Sequence, residues 1–319
     1  MRNIFILPIL LLALIACKGK AQSNDATDAD SSAIPTFSED SAYAYCAAQC
    51  NFGPRTMNSA AHDSCAVWIT NAFKRMGCNV TTQKTDIKAW DGKTLHATNI
   101  IASINPETTQ RIILCAHWDS RPWADNDPDK ANHTKPVMAA NDGASGVAVL
   151  IELARQLQAK PIAPVGIDLV CFDAEDYGTE ADENSWALGA EYFAKQMKPA
   201  TYAYGILLDM VGGQGAKFYQ EGFSSKYAQN IVSWLWAAAQ QAGYSTQFPM
   251  QSGGYITDDH KYLNEAGVPT VDIIPYYPDC QQSSFGPTWH TVSDDMQHID
   301  KSTLKAVGQT LMQHLYTSY

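Results

Sequence analysis

Gly166-Ile167-Asp168-Leu169-Val170-Cys171-Phe172-Asp173-Ala174-Glu175-Asp176 decides how this chain folds. Its opening stretch, apolar except for Asp168, reads as a strand buried on both faces, the condition of a strand inside a parallel sheet. The continuation turns acidic at once, with Asp173, Glu175 and Asp176 crowded together. In open α/β sheets the loops beyond the carboxyl ends of strands converge while the sheet holds them rigid, so acids there are candidates for chemistry.

The same pattern repeats on either side. Upstream, Arg111 to Ala116 is another buried strand that runs into His117, and Val147, Leu150, Ile151, Ala154 and Leu157 stripe the helix between the two. Downstream, a helix from Gly189 to Met197 leads to a strand from Tyr204 to Leu208 that ends at Asp209. A helix carrying Tyr227, Ile231, Trp234, Leu235 and Ala238 closes at Gly243, a strand spans Val268 to Ile274, and Leu304, Val307, Leu311 and Leu315 mark a terminal helix. Near the start, Cys65, Trp68, Ile69, Ala72, Phe73 and Met76 predict a helix ended by Gly77, and Asp91-Gly92 predicts a hairpin. Strands alternating with helices imply an α/β fold: a mixed, mostly parallel central sheet with helices on both faces, the hairpin adding antiparallel strands at one edge.

The chain has 319 residues, 45% of them hydrophobic and 17% charged, enough for one large core with no composition shift to divide it. A net charge of -11 leaves no basic stripe for a nucleic-acid partner. Arg2, the apolar stretch from Ile4 to Ala16 and then Leu14-Ile15-Ala16-Cys17 resemble a bacterial lipobox, and the stretch is shorter than the roughly 20 residues of a spanning helix. Residues 1–16 are therefore expected to be a lipoprotein signal peptide, Cys17 the lipidated residue, 17–42 a flexible tether poor in bulky apolar residues, and 43–319 the catalytic domain. The expected location is the bacterial envelope, facing the periplasm from the inner or outer membrane, with the lipid as the only membrane attachment and a monomer in solution. Cys115 and Cys171 lie in apolar runs and read as core residues, whereas Cys46, Cys50, Cys65, Cys78 and Cys280 are disulfide candidates in an oxidising compartment.

The polar residues gather where the sheet rule places them. His117, the Asp173 to Asp176 group and Asp209 each follow a strand, Asp142 precedes the helix entry Gly143-Ala144-Ser145-Gly146, and Asp258-Asp259-His260 and His290 lie on later loops. Histidine with several carboxylates and no thiol suits a catalytic zinc, held by three protein ligands with one position open. Asp125, Asp127 and Asp129 lack the Gly and Glu of an EF-hand loop and read as a solvated loop.

As a set and in this order, His117-Trp118-Asp119-Ser120, Asn141 to Gly146, Phe172 to Asp176, Leu207-Leu208-Asp209-Met210, Asp258-Asp259-His260 and Trp289-His290-Thr291 resemble the zinc-dependent aminopeptidases and the animal-type glutaminyl cyclases, over roughly residues 43 to 319. The pair Asp258-Asp259, the dipeptide Trp289-His290, Phe52-Gly53-Pro54-Arg55 and Ser185 to Gly189 look like the cyclases of Bacteroidetes-type bacteria. The resemblance implies a zinc aminopeptidase-like α/β/α sandwich and one zinc on Asp142, Asp176 and His290. Glu175 would be acid/base and Asp258 would accept from the reacting amide. Asp209, His117 and Asp272 would support the site, and Trp289 and Trp186 would wall the pocket. Departures from the animal pattern are Asp176 for a Glu ligand, Gly143 for a Ser and Asp272 for a His.

The implied substrates are N-terminal glutaminyl peptides or proteins. Zinc would polarise the γ-carboxamide while Glu175 moves a proton from the α-amine to the leaving ammonia. The same residues permit a second reading, in which His117 and Asp209 hold a second zinc bridged by Asp142 and the enzyme is an aminopeptidase. A catalytically silent binding module of the same fold is the third, although no ligand is missing.

Overall fold

The computed structural model describes residue 1, residues 34–162 and residues 165–319. The expected signal peptide, Cys17 and the tether up to residue 33 lie outside the described residues. Among the described residues no helix is long and apolar enough to cross a membrane.

Six strands form one sheet. They are β1 (Asn79–Lys88), β2 (Thr94–Ile104), β3 (Arg111–His117), β4 (Gly166–Phe172), β5 (Tyr202–Leu208) and β6 (Thr270–Ile273), in the order β1-β2-β4-β3-β5-β6. The four strands β4, β3, β5 and β6 are mutually parallel, and the hairpin β1-β2 joins their β4 edge antiparallel, as the pattern predicts. Its turn needs Gly92, whose φ of 84° lies in the left-handed region that side chains avoid.

Period-two alternation sorts each central strand between two cores. Ile112, Leu114 and Ala116 of β3 join the larger core, with helices α1 (Glu39–Cys50), α2 (Ala60–Arg75), α3 (Ala144–Ala159), α6 (Gln229–Gln241) and α8 (Lys301–Ser318) contributing to it. Ile113 and Cys115 join the opposite core, built with α4 (Leu188–Gln196) and α7 (Asp259–Glu265). A short helix α5 (Gly222–Tyr227) precedes α6, so Tyr227 ends one helix rather than starting the next. The result is a mixed, mostly parallel sheet between two helical layers.

Two expectations are corrected. The domain does not start at residue 43: the compact unit begins at Ile34, and α1, capped by the side chain of Ser38, opens at Glu39. Phe37 anchors this entry. Fully buried, it packs on Gly308 of α8, where any side chain would collide with its ring, and its amide donates to Gln309 Oε1 at 2.8 Å. One bulky residue in a polar stretch escapes a compositional reading. Nor are the disulfide candidates paired: Cys46, Cys50, Cys65, Cys78 and Cys280 are free thiols, as are Cys115 and Cys171. Cys46, Cys50, Cys65 and Cys78 pack as small apolar groups in the main core, where burial pushes the Cys65 thiol up to about 12 and Cys78 up to about 11.

Candidate active site

Strands β4, β3 and β5 lie side by side, so the residues leaving their carboxyl ends meet. Asp142, Asp176 and His290 each offer a ligand atom within 4.8 Å of the others. His290 Nε2 lies 3.1 Å from Asp176 Oδ1 and 3.7 Å from Asp142 Oδ2. Ligands bonded at about 2.0–2.1 Å to a tetrahedral zinc stand about 3.3 Å apart, so these separations bracket what one ion requires. Neither carboxylate oxygen of buried Asp176 makes a hydrogen bond, and Oδ1 has only His290 at 3.1 Å and Arg121 at 3.7 Å as charged neighbours, so the acid is left with coordination that a bound cation would complete. The donors fit zinc.

A second group shares Asp142. His117 Nε2 lies 2.9 Å from Asp142 Oδ1 and 3.2 Å from Asp209 Oδ1, and these three residues also satisfy the spacing of a metal site. The close approach of this imidazole accounts for Gly143, since a Cβ there would run into the carbonyl and ring of His117. A third buried group, Asp258, His260 and Asp272, lies on α7 and β6.

Behind the predicted ligands stand residues that the sequence reading passed over. Asp119 accepts the backbone amides of Glu175 at 3.1 Å and Asp176 at 3.2 Å, fixing the acidic turn. Asp294 does the same for Asn141 at 2.7 Å and Asp142 at 3.1 Å. Asp125, exposed as expected, also pairs with Arg121 and stands 3.5 Å from His290 Nδ1, the position from which a carboxylate orients a metal-binding imidazole. Asp127, expected on the same solvated loop, is instead buried, accepting from the Val292 and Asp129 amides. His62, left without a role, reaches Asp173 at 2.9 Å and stacks on Trp118. Glu221 accepts from His260 Nε2 at 3.0 Å, from the amides of Phe223, Ser224 and Ile256 and from the Ser224 hydroxyl, and so ties the loop before Asp258 to α5 and α7. Only the pairing of Asp119 with His117 in one short motif could have hinted at any of these.

So many buried acids perturb one another. Burial lifts the Glu175 carboxyl well above the usual range, the acids Asp258, Asp176 and Asp259 adding to it and His117 opposing. Burial similarly pushes Asp209 up to about 7. His117 goes the other way from what burial favours, because Asp119, Asp142 and Asp209 hold its imidazolium well above the ordinary value. Carboxyls that are hard to ionise beside a cation site are suited to passing protons.

A cleft of about 280 Å³ opens over these groups. Asp142, Glu175, Asp209, Asp258 and His290 form its floor side, with Trp289 and Trp186 among the walls. Trp289 stacks on His290 with ring centroids 3.7 Å apart, and Trp186 stacks on the same imidazole at 6.0 Å while Arg121 lies over its indole. His117 and Asp272 are buried and do not line the cleft. Asp258 caps α7 and leaves Oδ2 without a partner.

Carboxylates and an imidazole converging at the strand ends of an α/β/α sandwich define a metalloenzyme of the zinc exopeptidase type. The chain belongs to peptidase family M28, whose family model matches residues 99–315. It is similar to Bacteroides thetaiotaomicron glutaminyl cyclase bound to N-acetylhistamine, at 45% identity and a TM-score of 0.86 over 89% of this chain and 99% of that one. It is equally similar to a Zn-dependent exopeptidase from Parabacteroides distasonis, at 46% identity, a TM-score of 0.86 and the same coverage. Among curated relatives, the aminopeptidase YwaD of Bacillus subtilis is 26% identical over 78% of this chain, which spans half of that protein's length.

Proposed function

We propose that this chain is a zinc-dependent glutaminyl-peptide cyclotransferase, which closes the N-terminal glutamine of peptides or proteins to pyroglutamate and releases ammonia. The observation that carries this reading is the placement of Glu175 beside Asp142, Asp176 and His290 under a cleft walled by Trp289 and Trp186, in a chain 45% identical to a glutaminyl cyclase along nearly the whole length of that enzyme. Pockets for drug-sized ligands span roughly 300–1,000 Å³, so a cleft of about 280 Å³ suits a chain terminus rather than a length of chain.

A glutaminyl terminus carries its own nucleophile, so ring closure needs no activated water. Zinc, held by Asp142, Asp176 and His290, would supply Lewis-acid polarisation of the γ-carboxamide. Glu175 takes a proton from the α-amine and returns it to the departing nitrogen, which favours a carboxyl raised above the ordinary range. The free Oδ2 of Asp258 accepts from the amide nitrogen and orients it. Trp289 and Trp186 exclude water from the γ-carbon, while Asp209, His117 and Asp272 hold the floor in place.

The second reading, an aminopeptidase, is favoured by one observation, the His117, Asp142 and Asp209 group with metal-ligand spacing. Incubation with a glutaminyl peptide separates the two. Ammonia release with loss of amino-terminal reactivity, and one zinc per chain, supports cyclisation; cleavage of an aminoacyl anilide with two zinc ions per chain refutes it. We further place the enzyme in the bacterial envelope as a lipoprotein, on the Leu14-Ile15-Ala16-Cys17 motif. Palmitate labelling that survives Cys17→Ser refutes that assignment.

A further inference from the structure

The mouth of the cleft carries charge that ring closure does not use. Glu180 and Glu183 line it, both exposed, and among the described residues neither carboxylate has an ion-pair or hydrogen-bond partner. No lysine or arginine lines the cleft. Arg121, in the adjoining recess with Glu180, is buried and paired with Asp125.

The segment bearing these acids is held in place. It leaves Asp176 and returns to the active site, the amides of Ala187 and Leu188 donating to the carbonyls of Glu175 at 3.0 Å and Ala174 at 3.1 Å. Within it, the Ser185 hydroxyl accepts from the Thr179 amide and donates to the Asp182 carbonyl, and Asp182 spends its own carboxylate on the Asn184 amide. Gly178 lies flat against the Trp186 indole, with no room for a Cβ. The backbone that carries the two glutamates is thereby held at the rim, and their unpartnered carboxylates stay within a side chain's reach of it.

Another part of the lining is aromatic. Tyr255 is 69% exposed yet anchored, its ring edge-to-face with Phe223 at 5.0 Å and seated on Gly222. Phe285 packs on Trp289 at 4.8 Å. An ammonium or guanidinium is drawn to carboxylates and to the face of an aromatic ring alike.

We propose that Glu180, Glu183 and Tyr255 form an outer subsite that selects peptides with a lysine or arginine directly after the terminal glutamine. The inference rests on the cyclisation reading for its substrate and deepens it. Exposed ion pairs and an exposed cation–π contact together amount to a preference on the order of tenfold.

The test is kcat/KM of the zinc-loaded enzyme on peptides Gln-Lys-Ala, Gln-Ala-Ala and Gln-Glu-Ala at low and high salt. Lysine is expected to lead and glutamate to trail, with the spread narrowing in high salt as screening shortens the reach of the rim charges. In the Glu180→Gln/Glu183→Gln double variant the lysine-to-glutamate ratio falls toward one, and Glu183→Lys reverses its direction. Equal kcat/KM across the three peptides, or an unchanged ratio in the double variant, overturns the subsite. No ammonia from any peptide refutes cyclisation instead. The subsite is then judged by calorimetric binding of the same peptides, where equal affinity for the lysine and glutamate peptides overturns it.

Discussion

Glu221→Gln tests whether the carboxylate under the cleft works by its charge. Burial would raise this acid, but the His260 imidazole and the amides of Ser224 and Phe223 overcome that and hold it down at about 2, against an ordinary 4.5. A depressed carboxyl contributes stability that is fully present above its unfolded value and is lost as pH falls through the folded one. The gap corresponds to roughly 3 kcal/mol at pH 7 and about 1 kcal/mol at pH 3. Glutamine keeps the shape and one acceptor oxygen but turns an NH₂ group toward donors, which adds a cost that does not vary with pH. Urea unfolding of both proteins, followed by tryptophan fluorescence with equal m-values, should therefore show a difference that shrinks by about 2 kcal/mol from pH 7 to pH 3. A difference constant across that range would refute the argument that Glu221 is ionised against His260.

Three further outcomes are expected. Glu175→Gln should keep its zinc by metal analysis and lose about 10²–10⁴-fold in turnover; undiminished turnover removes Glu175 from the reaction. Asp125→Asn weakens the hold on His290 Nδ1, so zinc affinity measured against a chromophoric chelator should fall about 10–100-fold. Phe37→Ala empties the contact with Gly308 and should cost about 3–5 kcal/mol in urea unfolding; a loss below 1 kcal/mol would mean, by the same principle, that the entry segment is not anchored as described.

Three of the parallel strands, β3, β4 and β5, were legible because each is largely apolar on both faces and leads into a polar residue. His117, the Asp173 to Asp176 group and Asp209 stand where β3, β4 and β5 stop, so the sheet that hides the strands also aims these residues. Helices α2, α3 and α8 showed their buried stripes. The short helices α5 and α7 are too brief to show one, and α1 is hidden because its buried side chains, Ala42, Cys46, Gln49 and Cys50, make a weak apolar face.

The predicted ligands carried more signal in the sequence than the residues packed behind them, for a physical reason. Asp176, like His117 and Asp209 beside it, follows a strand and so leaves a mark in the sequence, the switch from apolar run to polar residue, whereas Asp142 and His290 stand on loops and were reached through the motifs around them. Their supports act across long chain separations through backbone amides: Asp119 on Glu175 and Asp176, Asp294 on Asn141 and Asp142. Such bonds require only an aspartate within reach, and a sequence with 33 acidic residues offers no way to single one out. The turns themselves are equally silent. Ala174, Met210 and His290 all take left-handed backbone conformations, with φ of 54°, 50° and 52°, at positions where glycine would be the usual signal. Side chains are kept there against a steric cost of about 1–2 kcal/mol each, at His290 because the imidazole is itself a predicted ligand. Tertiary contacts that outweigh local preference are what the sequence leaves unwritten, and in this fold they concentrate around the metal site.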